Sequence, residues 1–242
     1  ISITLSDASK CFNINSIFTQ EDEGYVLDSN LAAAFLVYLE AYVESELDRY
    51  VILDQIVDWV DYDQETNEYG LEDTYYLGSL SSNKQFTAGR LFYDVSELYN
   101  LPIFRSLDID LYDLNFCAYP ITQDFVININ MLSENDSSLL RSIFPKLSLK
   151  EADDVISFIT TTPINSLDEI KNEFQNYDFS VSDLHINFNF VPKIIKIRST
   201  ITQQHHTVES ESVVIIRSQS NKKIIDSFNY SFEYLSQHFY GI

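Results

Sequence analysis

Residues 58–73, which read D-W-V-D-Y-D-Q-E-T-N-E-Y-G-L-E-D, place seven carboxylates in one short segment without lysine or arginine. Ionised carboxylates this close together repel one another, so such a loop needs either a cation or extensive hydration when it folds. Two interpretations remain open: a solvated acidic loop, or an oxygen-lined site for a hard cation. For such a site calcium is favoured over magnesium, because calcium accepts about 6–8 oxygen ligands whereas magnesium retains its waters.

The spacing within this segment partly matches the calcium loop of helix-loop-helix proteins. Positions 1, 3, 5 and 12 of that template, which supply side-chain oxygens, are occupied by Asp61, Asp63, Glu65 and Glu72. Position 6 is Thr66, where the template requires glycine for a sharp turn. We therefore expect this loop to wrap around a cation in a different way.

The overall charge limits the kinds of partner. The 242 residues include 37 acidic and 15 basic side chains, a formal net charge of -22. This charge opposes binding to nucleic acids and to anionic membrane surfaces, so partners should be neutral, basic or bridged by metal.

The hydrophobic content of 45% is that of a folded chain. No stretch of about 18 apolar residues is present, so no membrane span is predicted within these residues.

The two cysteines, Cys11 and Cys117, are too far apart in sequence for a redox C-x-x-C pair or a thiolate zinc site. A disulfide is possible outside the cytoplasm, where it would close a long loop and stabilise the fold by about 4–5 kcal/mol in the chain-entropy model. Two buried free thiols are the alternative. The sequence leaves both open.

The periodicity of apolar residues predicts a strand, a long helical block and then more strands. The first strand covers residues 1–5, a hairpin covers 187–202 and 208–217, and 227–234 could add a third strand. Helical patterns occupy residues 30–43, 49–60, 95–101, 137–144, 149–158 and 167–174. Asn30 is predicted to cap the first of these helices, and Pro102 to end the helix at 95–101. If the first strand pairs with the last ones, the helical block is an insertion in an α+β fold.

Catalytic signatures are absent from the sequence. It contains no G-x-S-x-G elbow, no glycine-rich phosphate loop and no H-E-x-x-H motif. The histidines have no second ligand or base at a useful spacing, and we expect structural or exposed roles for His185, His205, His206 and His238. The chain is therefore predicted not to be an enzyme.

Five ordered segments resemble the K-type minor pseudopilin family of the bacterial type II secretion system, also called general secretion pathway protein K. They are residues 7–15, which include Asn13-Ile14-Asn15; residues 58–63; residues 70–76; Asp94-Val95-Ser96-Glu97-Leu98; and Asn128-Ile129-Asn130. Their order and spacing extend over most of the chain, which makes the resemblance specific.

The resemblance implies a pilin-like antiparallel sheet domain interrupted by a large α-helical domain. The expected boundaries give residues 1–15 and 183–242 to the pilin-like domain, and residues 16–182 to a helical insertion with SAM-like or helix-hairpin-helix-like units. It also implies an N-terminal membrane helix outside these residues, which would anchor the protein in the inner membrane with its ectodomain in the periplasm.

The resemblance further implies a non-catalytic role at the tip of the periplasmic pseudopilus, with the I- and J-type minor pseudopilins as partners and secreted proteins as further possible partners. Calcium is the only cofactor expected, bound in the helical domain. The metal-ligating candidates taken from the resemblance are Asp58, Asp61, Asp63, Glu72 and Asp73. Glu65 and Asn67 are added on chemical grounds.

Two other functions deserve comparison. The turn at residues 144–148 resembles a helix-hairpin-helix, but it has no glycine to let backbone N–H groups approach a phosphate, and the net charge also argues against nucleic acid. A calcium-stabilised extracellular adhesion or substrate-binding module is the stronger alternative. Binding to I- and J-type pseudopilins would distinguish it from the tip protein.

Overall fold

The computed structural model describes residues 1–81, 84–107, 109–122, 125–181, 186–203, 206–219 and 222–230. The chain divides into two compact units. We call residues 1–10, 126–131 and 188–242 the sheet unit, and residues 11–125 and 132–187 the helical unit. The combination of helices and mostly antiparallel strands confirms the predicted α+β class.

The secondary structure follows the chain as listed here. The strands are β1 (Ser2–Asp7), β2 (Phe12–Asn13), β3 (Phe18–Glu21), β4 (Gly24–Leu27), β5 (Phe116–Cys117), β6 (Phe125–Asn128), β7 (Ile186–Asn189), β8 (Ile194–Gln203), β9 (His206–Gln219) and β10 (Lys222–Tyr230). The α-helices are α1 (Ser29–Leu39), α2 (Glu46–Val60), α3 (Asp73–Tyr76), α4 (Pro102–Ser106), α5 (Ser137–Ile143), α6 (Leu149–Thr161) and α7 (Leu167–Glu173). Among the described residues, no helix has the length and apolar character needed to cross a membrane.

The sheet unit contains a four-stranded antiparallel sheet in the order β1-β8-β9-β10. Ile3 pairs with Ser199 and Leu5 pairs with Ile197, so the first strand joins the C-terminal strands as predicted. Asp183, where the second part of the pilin-like domain was predicted to begin, lies outside the described residues. The pairing of β1 with β8 satisfies backbone groups that a lone terminal strand would leave unpaired.

The two faces of this sheet differ in exposure. Ile194, Val213 and Ile215 are buried on one face. The opposite face is apolar but open to solvent, and we call its most exposed members the outer apolar face: Ile3, Leu5, Ile201 and Val208. An exposed cluster of aliphatic side chains on a sheet marks a surface suited to interaction with another protein segment.

The predicted strand at residues 187–202 is divided in two. Asn189 ends β7 and Ile194 begins β8, with Pro192 between them. Proline has no N–H to donate to a ladder, which explains the break. The hairpin of β8 and β9 is confirmed, and the predicted third strand corresponds to β10, which ends at Tyr230 within the described residues. Of the histidines, His206 begins β9, and His185, His205 and His238 lie outside the described residues.

The first two α-helices of the helical unit are capped by polar side chains. Asp28, rather than the predicted Asn30, caps α1 by accepting the N–H groups of Asn30 and Leu31 at 2.9 and 3.1 Å. Ser45 caps α2 by accepting the N–H of Asp48. A carboxylate is the better cap here because it accepts two donors at the positive end of the helix.

Pro102 follows the end of the predicted helix and has a second role as well. It begins α4, while residues 95–100 form a separate 3₁₀ helix. Proline suits the first position of a helix because its missing N–H has no helical partner there. The three predicted helices later in the chain are confirmed as α5, α6 and α7, and Ser148 with Glu151 forms a capping box at the start of α6.

A disulfide between Cys11 and Cys117 resolves the choice left open by the sequence. The bond closes beside the parallel pair β2 and β5. Two buried asparagines reinforce the same region. Asn15 donates from Nδ2 to the carbonyls of Phe92 and Tyr119 at 2.8 and 3.1 Å, and Asn13 accepts the N–H of Tyr119 at 2.9 Å. Asn13 and Asn15 therefore connect the first residues of the helical unit to loops that are distant in sequence.

The observed division differs from the predicted boundaries at residues 15 and 183. Residues 11–15 belong to the helical unit, and residues 126–131 return to the sheet unit. There Asn128 donates from Nδ2 to Asp7 at 2.8 Å, and its backbone N–H donates to Ser9 Oγ at 3.2 Å. Local sequence patterns do not reveal these contacts, because the paired residues are far apart along the chain.

Candidate metal centre

Three carboxylates of the acidic segment converge in the helical unit. Asp58 lies in the last turn of α2, Asp61 follows the end of that helix, and Glu72 directly precedes α3. One oxygen from each lies within 4.8 Å of the others. The C-terminal end of a helix carries partial negative charge, so it does not offset the repulsion among these carboxylates.

The oxygens that converge here are buried and lack partners. Asp58 and Glu72 are 0% and 1% exposed. Among the described residues, no donor reaches Asp58 Oδ2, Asp61 Oδ1 or either carboxylate oxygen of Glu72. Burial of an ionised carboxylate is costly unless a hydrogen bond, a cation or a metal compensates for the lost water. This set of oxygens therefore has the chemistry of a hard-cation site.

Burial and mutual repulsion also change the acidity of the three groups. Burial raises the pKa of Asp61 to about 7, with the charges of Asp63 and Asp58 adding to the effect. The pKa of Glu72 rises to about 8 for the same reasons. Burial raises the pKa of Asp58 as well, partly offset by hydrogen bonds from Asn67. A bound dication would favour the ionised forms and reverse these shifts.

Asn67 and Gly70 hold the Asp58 carboxylate in place. The backbone N–H and the Nδ2 of Asn67 donate to Asp58 Oδ1 at 3.2 and 2.6 Å, which leaves Oδ2 for another ligand. Gly70 packs directly against this carboxylate, and a Cβ at that position would overlap its oxygens. The close approach explains the need for glycine.

The substitution Gly70→Ala tests this arrangement. The added methyl group should displace Asp58, and we expect calcium affinity to fall by about tenfold or more, as for other residues that orient metal ligands. Calcium titration by calorimetry measures the change. Thr66→Ala is a matched control on the exposed part of the same loop. Unchanged calcium affinity in Gly70→Ala would exclude Asp58 as a ligand.

The other candidate residues lie outside this group of three. Asp63 and Glu65 are exposed, and Asp63 Oδ1 accepts the N–H of Glu65 at 2.8 Å. Asp73 Oδ1 accepts the N–H and hydroxyl of Thr87 at 2.8 and 3.1 Å. The roles of Asp63, Glu65 and Asp73 as ligands stay predictions.

The packing role of Gly70 was not predicted. The only signal for it was a glycine within an acidic run in a chain with five glycines.

The sequence and the fold both have known relatives. Residues 10–120 match the family model described as type II secretion system (T2SS), protein K. The matched range contains the three converging carboxylates, both cysteines and the Asn13-Ile14-Asn15 motif.

Curated relatives of this chain carry the same protein K description. Type II secretion system protein K of Klebsiella pneumoniae is 30% identical over 152 residues, which are 62% of this chain and 45% of that protein. The protein K of Pectobacterium carotovorum subsp. carotovorum is 32% identical over 145 residues, 58% of this chain and 42% of that protein. The match thus spans less than half the length of these curated relatives.

A solved structure shares the fold of this chain. It is a chain of the crystal structure of the GspK-GspI-GspJ complex from the enterotoxigenic Escherichia coli type 2 secretion system. The TM-score is 0.58 at 18% sequence identity, and the similarity covers 95% of this chain and 79% of that chain. Both the sheet unit and the helical unit therefore lie within the matched fold.

Proposed function

We propose that this chain is part of a minor pseudopilin that lies at the tip of the type II secretion pseudopilus and supports protein export through assembly. The observation that carries the proposal is the combination of the protein K match with a fold shared across 95% of the chain with a component of the GspK-GspI-GspJ complex. The role is structural, consistent with a family named as a component of the secretion system.

The charge distribution supports a terminal position. The helical unit carries 32 acidic and 8 basic residues, whereas the sheet unit carries 5 acidic and 7 basic residues. Almost all of the negative charge therefore belongs to one unit. Like charges of this size disfavour the stacking of one helical unit on another copy, as expected for a subunit that ends a filament.

The outer apolar face supports assembly with the I- and J-type minor pseudopilins. Leu5 is 69% exposed and Ile3 is 64% exposed, beside the partly exposed Ile201 and Val208. Burial of such side chains against a partner removes apolar area from water, worth about 25 cal/mol per Å² before the costs of association.

Calcium is the ion we propose for Asp58, Asp61 and Glu72. The three carboxylates provide oxygen ligands and no nitrogen or sulfur, which is the donor set that hard cations prefer. Water or carbonyl oxygens would complete the coordination. Calcium would supply positive charge and cross-link the end of α2 to the start of α3, a structural role.

The proposed location is the periplasm, with an anchor in the inner membrane. The Cys11–Cys117 disulfide supports the first part, because disulfides persist in oxidising compartments such as the bacterial periplasm. The anchor follows from the family resemblance.

Assembly with I- and J-type partners tests this function. We expect the chain to co-elute with both partners on size exclusion, and Leu5→Lys to weaken the complex by about tenfold or more because a charge is placed on the outer apolar face. Glu46→Lys, a charge change of an exposed acid in the helical unit, should leave the complex intact. Thermal melts would establish that both variants fold.

Two results would contradict the proposal. If the folded chain does not associate with I- and J-type pseudopilins, the calcium-stabilised adhesion or substrate-binding module becomes the better interpretation. If Glu46→Lys abolishes the complex and Leu5→Lys does not, the partners contact the helical unit and the tip arrangement is wrong.

A further inference from the structure

A cavity of about 340 Å³ lies beside the end of α7 in the helical unit. We call it the α7 pocket, and its lining residues are Lys171, Phe174, Gln175, Tyr177, Phe179 and Ser180. Its volume is near the lower limit of ligand pockets in proteins, about 300 Å³. The pocket therefore suits one side chain of a partner better than a large ligand.

Aromatic rings form the body of the α7 pocket. Phe174 and Tyr177 are stacked, with ring centroids 5.1 Å apart and an interplanar angle of 23°. Phe179 is buried beside them, 6.4 Å from Tyr177, and packs edge-on against Phe144. Phe174 and Tyr177 are only half-buried, so part of the stacked pair is accessible to a ligand. The face of an aromatic ring carries partial negative charge and attracts cations.

Carboxylates next to these rings add to that attraction. The hydroxyl of Tyr177 donates to Asp154 Oδ2 at 2.8 Å, which holds this carboxylate at the edge of the ring. Asp178 is engaged by Lys146 at 3.1 Å and by the N–H of Ser180 at 2.9 Å. Asp154 is half-buried and accepts the hydroxyl of Tyr177, whereas Asp178, although more exposed, is already paired with Lys146, and the surrounding unit is strongly acidic.

We propose that the α7 pocket binds an arginine side chain from a basic segment of a partner protein. The planar guanidinium group can stack on the Phe174–Tyr177 pair while its N–H groups donate to Asp154. Lysine is less suitable because its compact ammonium group is strongly hydrated and does not stack. This interaction goes beyond the proposed tip role and requires neither the I- and J-type partners nor bound calcium.

A peptide titration of the isolated chain tests the proposal. The probes are acetyl-Gly-Arg-Gly-Arg-Gly-amide and the same peptide with lysine, added to ¹⁵N-labelled protein. We expect the arginine peptide to bind at least threefold more tightly and to shift amide signals from residues 171–180. Phe174→Leu should weaken arginine binding by about fivefold or more, because it removes the stacking face. Equal affinities for the two peptides would overturn the proposal.

Charge-matched variants separate the α7 pocket from general attraction by an acidic protein. Asp154→Asn and Glu134→Gln change the net charge equally, but Asp154 accepts the hydroxyl of the lining residue Tyr177, whereas Glu134 is exposed and is not a lining residue. Only Asp154→Asn should weaken arginine binding. Equal weakening by both would mean that the peptide binds through net charge alone, which overturns the proposal.

Lys171 offers a further test of the sign of the ligand's charge. This lysine lines the pocket, so Lys171→Met removes a positive charge that repels an arginine. We expect tighter arginine binding in this variant, by about twofold or more. Weaker binding would contradict a cationic ligand and would indicate an anionic or neutral ligand instead. The failure of this test would leave the assembly experiment with I- and J-type partners unaffected.

Discussion

Removal of calcium is expected to lower the melting temperature of the helical unit by about 5–10 °C. A ligand present at about 100 times its dissociation constant stabilises the folded state by about 2.7 kcal/mol. Each kcal/mol corresponds to about 2–4 °C for a domain of this size. The physical cause is the convergence of Asp58, Asp61 and Glu72. Asp58 Oδ2, Asp61 Oδ1 and both carboxylate oxygens of Glu72 accept no hydrogen bond from the described residues, and the three groups repel one another without an ion. The fluorescence of Trp59, the only tryptophan of the chain and a buried residue, reports the transition.

Substitution of one ligand should reduce this effect. Asp61→Asn removes one negative charge from the centre, so the chelated variant should melt at a higher temperature than the chelated wild type, and the drop on chelation should shrink. Glu68→Gln is the control, because Glu68 is exposed, lies outside the group of three and is not a candidate ligand. Magnesium should restore less stability than calcium. An unchanged melting curve after exhaustive chelation would exclude the site.

The pH dependence of the melting temperature provides a second readout of the same result. Without calcium, the folded-state pKa values of Asp61 and Glu72, about 7 and about 8, exceed their ordinary values. Between the ordinary pKa and the raised folded-state pKa of each group, the folded state therefore binds more protons than the unfolded state. Stability should fall as the pH rises from about 4 to about 8. With calcium the trend should reverse, because the ligands bind the ion in their ionised forms. The same slope with and without calcium would contradict binding at these carboxylates.

The acidic segment could be recognised from sequence because its signal is local. Seven carboxylates without a basic residue between positions 58 and 73 left a solvated loop and a cation site as the two interpretations, and Glu72 occupies a ligand position in the calcium template. Which carboxylates converge was not determined by that template. Thr66 replaces the required glycine, and Asp58, which lies before the loop on α2, joins Asp61 and Glu72 through tertiary packing around Gly70.

The same distinction applies to the fold. Helices α5, α6 and α7 were predicted because their apolar spacing is a local feature, and the Ser148 cap of α6 is local as well. Pro102 was correctly predicted to follow the end of one helix, but its position as the first residue of the next helix was not predicted, since proline fits both positions. The return of residues 126–131 to the sheet unit depends on hydrogen bonds between Asn128 and distant residues. A sequence pattern within a short window does not indicate which distant residues will become hydrogen-bond partners.

Loss of the disulfide is expected to produce the other large effect. In the chain-entropy model, a cross-link that closes a loop of 106 residues, as Cys11–Cys117 does, stabilises the fold by about 4–5 kcal/mol. The Cys11→Ala, Cys117→Ala double variant should therefore melt about 10–20 °C below the oxidised wild type, measured with calcium present. Loss of this disulfide removes a covalent constraint at the start of the helical unit, where Asn13 and Asn15 form hydrogen bonds with the backbone of Tyr119.

Reduction of the wild type should reproduce the behaviour of the double variant, and reductant should have no effect on the variant itself. Cys11 and Cys117 both lie in the helical unit, so Trp59 fluorescence should detect the change in the same unit. A difference of less than about 2 °C between oxidised and reduced wild type would show that the bond does not constrain the unfolded chain as expected. A large difference would mean that the helical unit gains its full stability only in an oxidising compartment, which is the condition that the proposed periplasmic location provides.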